Sequence, residues 1–196
     1  MKLPDTLYRI QKRLEVTKIL VFILLMVLSS YKLLAQDIKE DGKEFPIPAG
    51  NPHQLFYLQR IENINTVIYE LNEQNGSLNT EEPIHAFWIL YAEQKKHEEL
   101  SAIEKKYAYG LKMGPSIKEK YKFTLVAYPK ISLQLAKDAN QQYHVYVTPL
   151  KQQMILHRVY IKVKEGGFNI KPNIEYIEFS GIDVVSEKEI TERIVP

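Results

Sequence analysis

The sequence predicts a mainly β protein, an antiparallel meander closing as a β-sandwich or barrel with one short α-helix, and three observations carry that expectation. Tyr and Phe are abundant, 13 and 7 in 196 residues, and aromatic side chains suit a pleated, half-buried surface. Short runs of aromatic and β-branched residues recur along the second two thirds of the chain, with Gly, Pro, Asn and Asp between them. Only one stretch after residue 50 carries a helical stripe. With 45% hydrophobic and 26% charged residues, the chain has the composition and length for one domain with a sizeable core.

In chain order, residues 1–35 read as a signal peptide or membrane anchor. A basic region precedes ten unbroken apolar residues, Ile19–Leu28, and Ala35 is a small residue at a plausible cleavage point before Gln36. Counted to Tyr31 the apolar run would make roughly 20 Å of helix, against a hydrocarbon core of about 30 Å. The length therefore favours cleavage over anchoring, with membrane attachment only through residues 19–31 if the segment stays. Either way the domain is expected to be exported, to the periplasm or beyond the cell.

Residues 36–53 form an extended Pro-rich lead-in (Phe45-Pro46-Ile47-Pro48-Ala49-Gly50-Asn51-Pro52). Residues 54–182 are the single β-rich domain. It opens with a hairpin, Leu55–Leu71, whose turn at residues 61–64 would set Phe56 opposite Tyr69 and Leu58 opposite Val67. Asn75-Gly76 signals a tight turn. Ile84–Tyr91 reads as a central strand buried on both sides, with His85, Phe87, Ile89 and Tyr91 on one face and Ala86, Trp88 and Leu90 on the other. A helix is expected over about 98–109, since Leu100, Ile103 and Tyr107 share a stripe, Glu98 and Glu99 open it, and Gly110 stops it. Further strands are expected at Tyr121–Tyr128, Ile131–Lys137, Tyr143–Thr148, Met154–Lys164 and Ile174–Phe179, with a frayed, charged tail at 183–196.

The formal charge of +2 hides an asymmetry. Residues 1–35 contain six Lys/Arg and two acidic residues, leaving 20 basic and 22 acidic residues in the rest. That balance offers no basic face for nucleic acid. The absence of cysteine excludes disulfides, thiolate catalysis and Cys-ligated zinc.

Several blocks resemble one family. Leu55-Phe56-Tyr57-Leu58-Gln59-Arg60, Asn65-Thr66-Val67-Ile68-Tyr69-Glu70, Phe87-Trp88-Ile89-Leu90-Tyr91-Ala92-Glu93, Ala108-Tyr109-Gly110 and Tyr143-His144-Val145-Tyr146, in that order, are similar to domain-of-unknown-function family 4833 (DUF4833). The resemblance runs from about Phe45 to the carboxyl end and implies an exported protein of the Bacteroidetes. It implies no activity, substrate or catalytic residue. Leu90 departs from it, standing where the family is expected to carry Arg.

Candidate chemistry is sparse. A hairpin loop centred near Leu150-Lys151 would set His144 opposite His157, and His85 would be the third imidazole of a zinc or copper site. A hydrogen-bonded histidine at a core edge is the simpler reading, because no ligand spacing enforces the metal. His97-Glu98-Glu99-Leu100-Ser101 begins like a metalloprotease helix but has Ser101 where the second His belongs. There is no Gly-x-Ser-x-Gly elbow, phosphate-cradling loop or dinucleotide fingerprint, and no cofactor is expected. Glu62, Glu70, Glu81, Glu82 and Glu93 read as solvated carboxylates. Arg60 is expected to pair with Glu93 or clamp an anion, and Tyr57, Trp88 and Tyr91 to line a binding cleft or simply fill the core. Asn75-Gly76-Ser77 is a glycosylation sequon that a hairpin turn also explains. The leading expectation is a non-enzymatic module of the cell envelope that binds a ligand or a protein partner. The alternatives are a hydrolase or metal-dependent enzyme using the histidines, and a self-associating structural protein with an exposed apolar strand edge.

Overall fold

The computed structural model describes residues 38–40, 43–60, 63–117, 119–164 and 173–196. The expected signal or anchor segment, residues 1–35, and the tip of the first hairpin, residues 61–62, lie outside them. Among the described residues no helix is long and apolar enough to cross a membrane.

The unit Lys39–Pro196 is mostly strand. Its strands are β1 (Ile38–Glu40), β2 (Lys43–Phe45), β3 (Gln54–Arg60), β4 (Asn63–Leu71), β5 (Glu73–Gln74), β6 (Ser77–Leu78), β7 (Ile84–Leu90), β8 (Lys96–Glu99), β9 (Leu111–Ile117), β10 (Lys120–Leu125), β11 (Tyr128–Lys137), β12 (Tyr143–Val147), β13 (Met154–Val163), β14 (Ile174–Asp183) and β15 (Glu189–Ile194). Eleven of them make one sheet, in the order β8-β7-β4-β3-β13-β12-β11-β10-β9, with β14 and β15 branching from β13. The sheet curls into a half-barrel. The mainly β expectation stands, in its barrel-like form.

The first hairpin has the register its sequence predicts, Phe56 opposite Tyr69 and Leu58 opposite Val67. These four residues point inward, where the rings of Phe56 and Tyr69 stack 4.3 Å apart at 6°. They share one core with Phe123, Leu133, Leu135, Val145, Leu156, Val159 and Phe179 from the other side of the curl. The period-2 alternation of each strand thus sends one set of side chains into the half-barrel and the other to its outer surface.

β13 is the strand on which the sheet branches. It pairs with β14 along its whole length, while its other edge is shared between β12, at Met154 and Ile155, and β3, at Arg158–Ile161. The β3 pairing is parallel, so the expected all-antiparallel meander is wrong at one seam. Burial of both faces of β13 is what such a seam requires. His157 is the extra residue of a bulge between the Leu156–Gly181 and Arg158–Ser180 pairs. A Cβ on Gly181 would collide with the carbonyl oxygen of Ile155, so the close approach of the strands there needs glycine.

Other expectations need correction. The helix is shorter than 98–109: α1 spans Ala102–Tyr107, and Lys96–Glu99 is instead the edge strand β8, paired with β7. The boundary follows from a capping box, in which Ser101 and Glu104 satisfy each other's backbone N–H groups and start the helix after β8 ends. Its apolar stripe does not face the core, for Ile103 and Tyr107 are 73% and 66% exposed and only Leu100, before the helix, is buried. β7 is second from an edge rather than central, and Trp88, Ile89 and Leu90 are half-buried. The turn between β10 and β11 falls at Val126-Ala127, with Leu125 paired to Tyr128, rather than between the expected strands Tyr121–Tyr128 and Ile131–Lys137. Residues 189–194 of the supposed tail form β15, paired with β14. Asn75 and Gly76 both have positive φ, as a two-residue hairpin turn demands.

The lead-in is tightly held. Phe45 is fully buried against Tyr160 and Tyr176, and the carbonyl of Pro46 accepts a hydrogen bond from Gln59 at 2.8 Å. Gln59 also accepts from Arg158 at 2.9 Å.

Candidate functional site

Three adjacent strands place their outward residues in a grid. β4 contributes Ile68 and Glu70, β7 contributes His85, Phe87 and Ile89, and β8 contributes His97 and Glu99, with Ile68 opposite Phe87, Glu70 opposite His85, Ile89 opposite His97 and Phe87 opposite Glu99. The lead-in walls this grid with Ala49, Gly50, Asn51 and Pro52, leaving a cleft of about 560 Å³. Gly50 turns the lead-in at a φ of +88°, a conformation that favours glycine.

The polar side chains of the cleft are pre-set. Asn51 uses its side-chain oxygen to accept from the backbone N–H of His53 at 2.9 Å, and its amide donates to Glu70 Oε2 at 2.6 Å. Glu70 Oε1 lies 3.0 Å from His85 Nδ1. Across the strand, His85 Nε2 is 3.0 Å from the Glu99 carboxylate. Burial works against the charged imidazole, but the hydrogen bonds and negative charges of Glu70 and Glu99 outweigh it and raise the His85 pKa above its ordinary value. His85 is therefore an imidazolium donating to two carboxylates over a wider pH range than a free histidine. Below it, Phe87 and Ile89, backed by the fully buried Ile68, make an apolar floor, and Phe87 stacks between His85 and His97 at 5.5 and 5.1 Å. Glu98 is held by Lys96 at 2.8 Å, and Lys105 approaches Glu99 at 4.0 Å.

The residues singled out from sequence are dispersed. Arg60 donates to the Tyr109 hydroxyl at 3.0 Å rather than pairing with Glu93. Tyr57 is buried with Ile68 and Phe87 beneath the outer face, where desolvation raises its pKa against the opposing charge of Arg158. Trp88 faces the inner side, its indole N–H donating to Glu104 at 3.1 Å and its ring set edge-on to Tyr109 at 4.7 Å. Tyr91 and Glu93 sit in a single 3-10 turn, Tyr91 beneath Lys95. None of these five lines the cleft.

The histidine trio is likewise not gathered. His85 is in the cleft, His144 pairs with Asp138 at 3.3 Å, and His157 stands at the β13 bulge. The His157 pKa is lowered chiefly by desolvation and further by His144, with Glu189 opposing. Among the described residues no group of three His, Cys, Asp or Glu side chains is placed to hold a metal ion. The three-histidine alternative is not assembled, because β7, which carries His85, is separated from β12 by three strands of the sheet, while His144 and His157 stand on the adjacent strands β12 and β13, paired in the register the sequence suggested.

Sequence reasoning passed over Asn51, read Glu70 as a solvated carboxylate, and set His97 and Glu99 aside as the opening of an incomplete metalloprotease helix. Glu70 had a usable signal, since the hairpin register and strand alternation place it outward beside Ile68. Glu99 and His97 had none, because their strand is legible only once β8 pairs with β7.

The described residues thus form a β half-barrel whose lead-in and outer face enclose a polar-rimmed, apolar-floored cleft. Residues 56–193 match the family model described as Domain of unknown function (DUF4833), and the chain belongs to that family. No curated protein and no solved structure matches it.

Proposed function

We propose that this domain is a non-enzymatic binding module of the cell envelope, exported by its amino-terminal segment, and that its ligand is a small molecule seated in the outer-face cleft. The observation that carries the reading is the pre-set row Asn51–Glu70–His85–Glu99 above Ile68, Phe87 and Ile89. A concavity of about 560 Å³ with an apolar floor and a few convergent polar groups has the size and character of a small-ligand site. The mutual engagement of Asn51, Glu70, His85 and Glu99 supports a pre-set binding surface, since these groups already hold one another in place. The leader-like residues 1–35 support export.

A thermal-shift screen of small polar metabolites tests the reading, run in parallel on the wild type and on Ile89→Trp, which fills the cleft. Ligands should raise the wild-type Tm and leave the variant unchanged. Equal shifts in both proteins would place binding elsewhere and refute it.

A further inference from the structure

We infer that the cleft takes an organic ammonium group, which competes with the His85 side chain for the carboxylates of Glu70 and Glu99. The inference rests on the ligand-cleft reading above and adds the chemical class of the ligand.

The argument starts from the donor and acceptor inventory of the lining. Glu70, Glu98 and Glu99 offer carboxylate oxygens, each with several acceptor positions, and no Lys or Arg lines the cleft. A ligand must therefore bring donors, and an anion would meet like charge. His85 already fills this role, with each ring nitrogen 3.0 Å from a separate carboxylate. Its two nitrogens point to separate carboxylates, so the donors do not converge on a single point as a metal ion requires. An ammonium group needs no such convergence, because its three N–H bonds can reach separate oxygens. Its alkyl part would rest on Phe87 and Ile89.

Competition sets the direction of the pH dependence. The charged and titratable groups facing His85 are Glu70 from β4, Glu99 from β8 and, across the Phe87 ring, His97 of β8, with Lys105 of α1 behind Glu99 and Glu98 engaged by Lys96. The lead-in supplies only the neutral Asn51. When His85 loses its proton, the pair of carboxylates regains one uncompensated negative charge. An alkylammonium, with an ordinary pKa of about 10.4, stays charged through that change. Its affinity should therefore rise with pH.

The test is an NMR titration of ¹⁵N-labelled protein with butylammonium, butanol and butyrate, which share size and differ in charge, at about pH 6.0 and about pH 8.5, on either side of the ordinary His value of about 6.5. Butylammonium is expected to shift the amides of residues 68–70, 85–89 and 97–99, to bind at least about tenfold more tightly than butanol, and to tighten with pH. A Glu70→Gln, Glu99→Gln double variant should lose about tenfold. His85→Gln should bind butylammonium more tightly than wild type at the lower pH and lose the pH dependence, a gain that a misfolded protein cannot imitate. Equal binding of butanol, or an affinity that is flat or falls with pH, overturns the ammonium inference and leaves the cleft reading standing. Failure of all three probes to move cleft amides, with hits from the metabolite screen still blocked by Ile89→Trp, overturns the inference alone, and failure of both experiments overturns the two readings together.

Discussion

Tyr69 offers the most direct test of how the half-barrel is held together. Its side chain is fully buried, its ring lies 4.3 Å from Phe56 and nearly parallel to it, and its hydroxyl donates to the Tyr109 carbonyl at 2.7 Å. Desolvation raises the phenol's pKa strongly, so the group stays protonated as a donor. That bond fastens the segment after α1 to the second strand of the hairpin, across 40 residues of sequence. Removing the ring in Tyr69→Ala deletes an aromatic side chain from a packed core, at about 3–5 kcal/mol. Loss of the buried hydrogen bond adds about 1 kcal/mol. The expected total of about 4–6 kcal/mol is a large share of a typical domain stability of about 5–15 kcal/mol. Tyr69→Phe separates the two contributions and should cost only about 1–2 kcal/mol. Urea unfolding followed through the single tryptophan, Trp88, reports both, since its indole packs against Tyr109. A cycle with Phe56→Ala should reveal a coupling of about 0.5–1.5 kcal/mol between the rings. A loss below about 1 kcal/mol for Tyr69→Ala would refute the reasoning, because it would show that the ring is not part of a packed interior.

Two further outcomes follow from the outer face and its neighbour α1. The His85 pKa is raised in the folded protein, so its stabilising contribution is fully present below the unfolded value of 6.5 and is lost as pH rises through the folded value above it. Melting of wild type and His85→Gln at a series of pH values should therefore show a gap that narrows as pH rises from 6.5, and a gap that widens would contradict the assignment. Ser101→Ala removes the cap of α1 and should cost about 1 kcal/mol in urea unfolding. The same Ser101 contacts help hold the Glu104 pKa below its ordinary value against desolvation, so the variant's penalty should shrink as pH falls through the carboxylate range.

Alternation and turn chemistry made much of the architecture readable in advance. Leu55–Leu71 is apolar at every second position on one face, which specifies both that it is a hairpin and which residues oppose one another, because a slip of one residue would turn the core set outward. Asn75-Gly76 and Met154–Lys164 were legible for equally local reasons. β8, with the sequence Lys-His-Glu-Glu, was not, because nothing in four charged and polar residues favours a strand until β7 lies beside them. β9 includes Gly114 and Pro115, which read locally as a break, yet it pairs with β10 as an edge strand, where proline is tolerated. The parallel seam between β3 and β13 joins segments about 100 residues apart, and no local pattern records it.

The cleft divides in the same way. By itself the sequence determined that His85, Phe87 and Ile89 share one strand face and that Glu70 lies on the hairpin face opposite Tyr69, since strand period and hairpin register depend only on neighbours in the chain. Only the tertiary structure decided that Asn51 would fix Glu70, that Glu99 would reach His85 from an unrecognised edge strand, and that His144 and His157 would stand elsewhere. Those relations depend on which strands lie side by side and on where the lead-in crosses the sheet. Burial of Phe45 and pairing at β13 set both, and these are contacts between distant segments that no single stretch of sequence specifies.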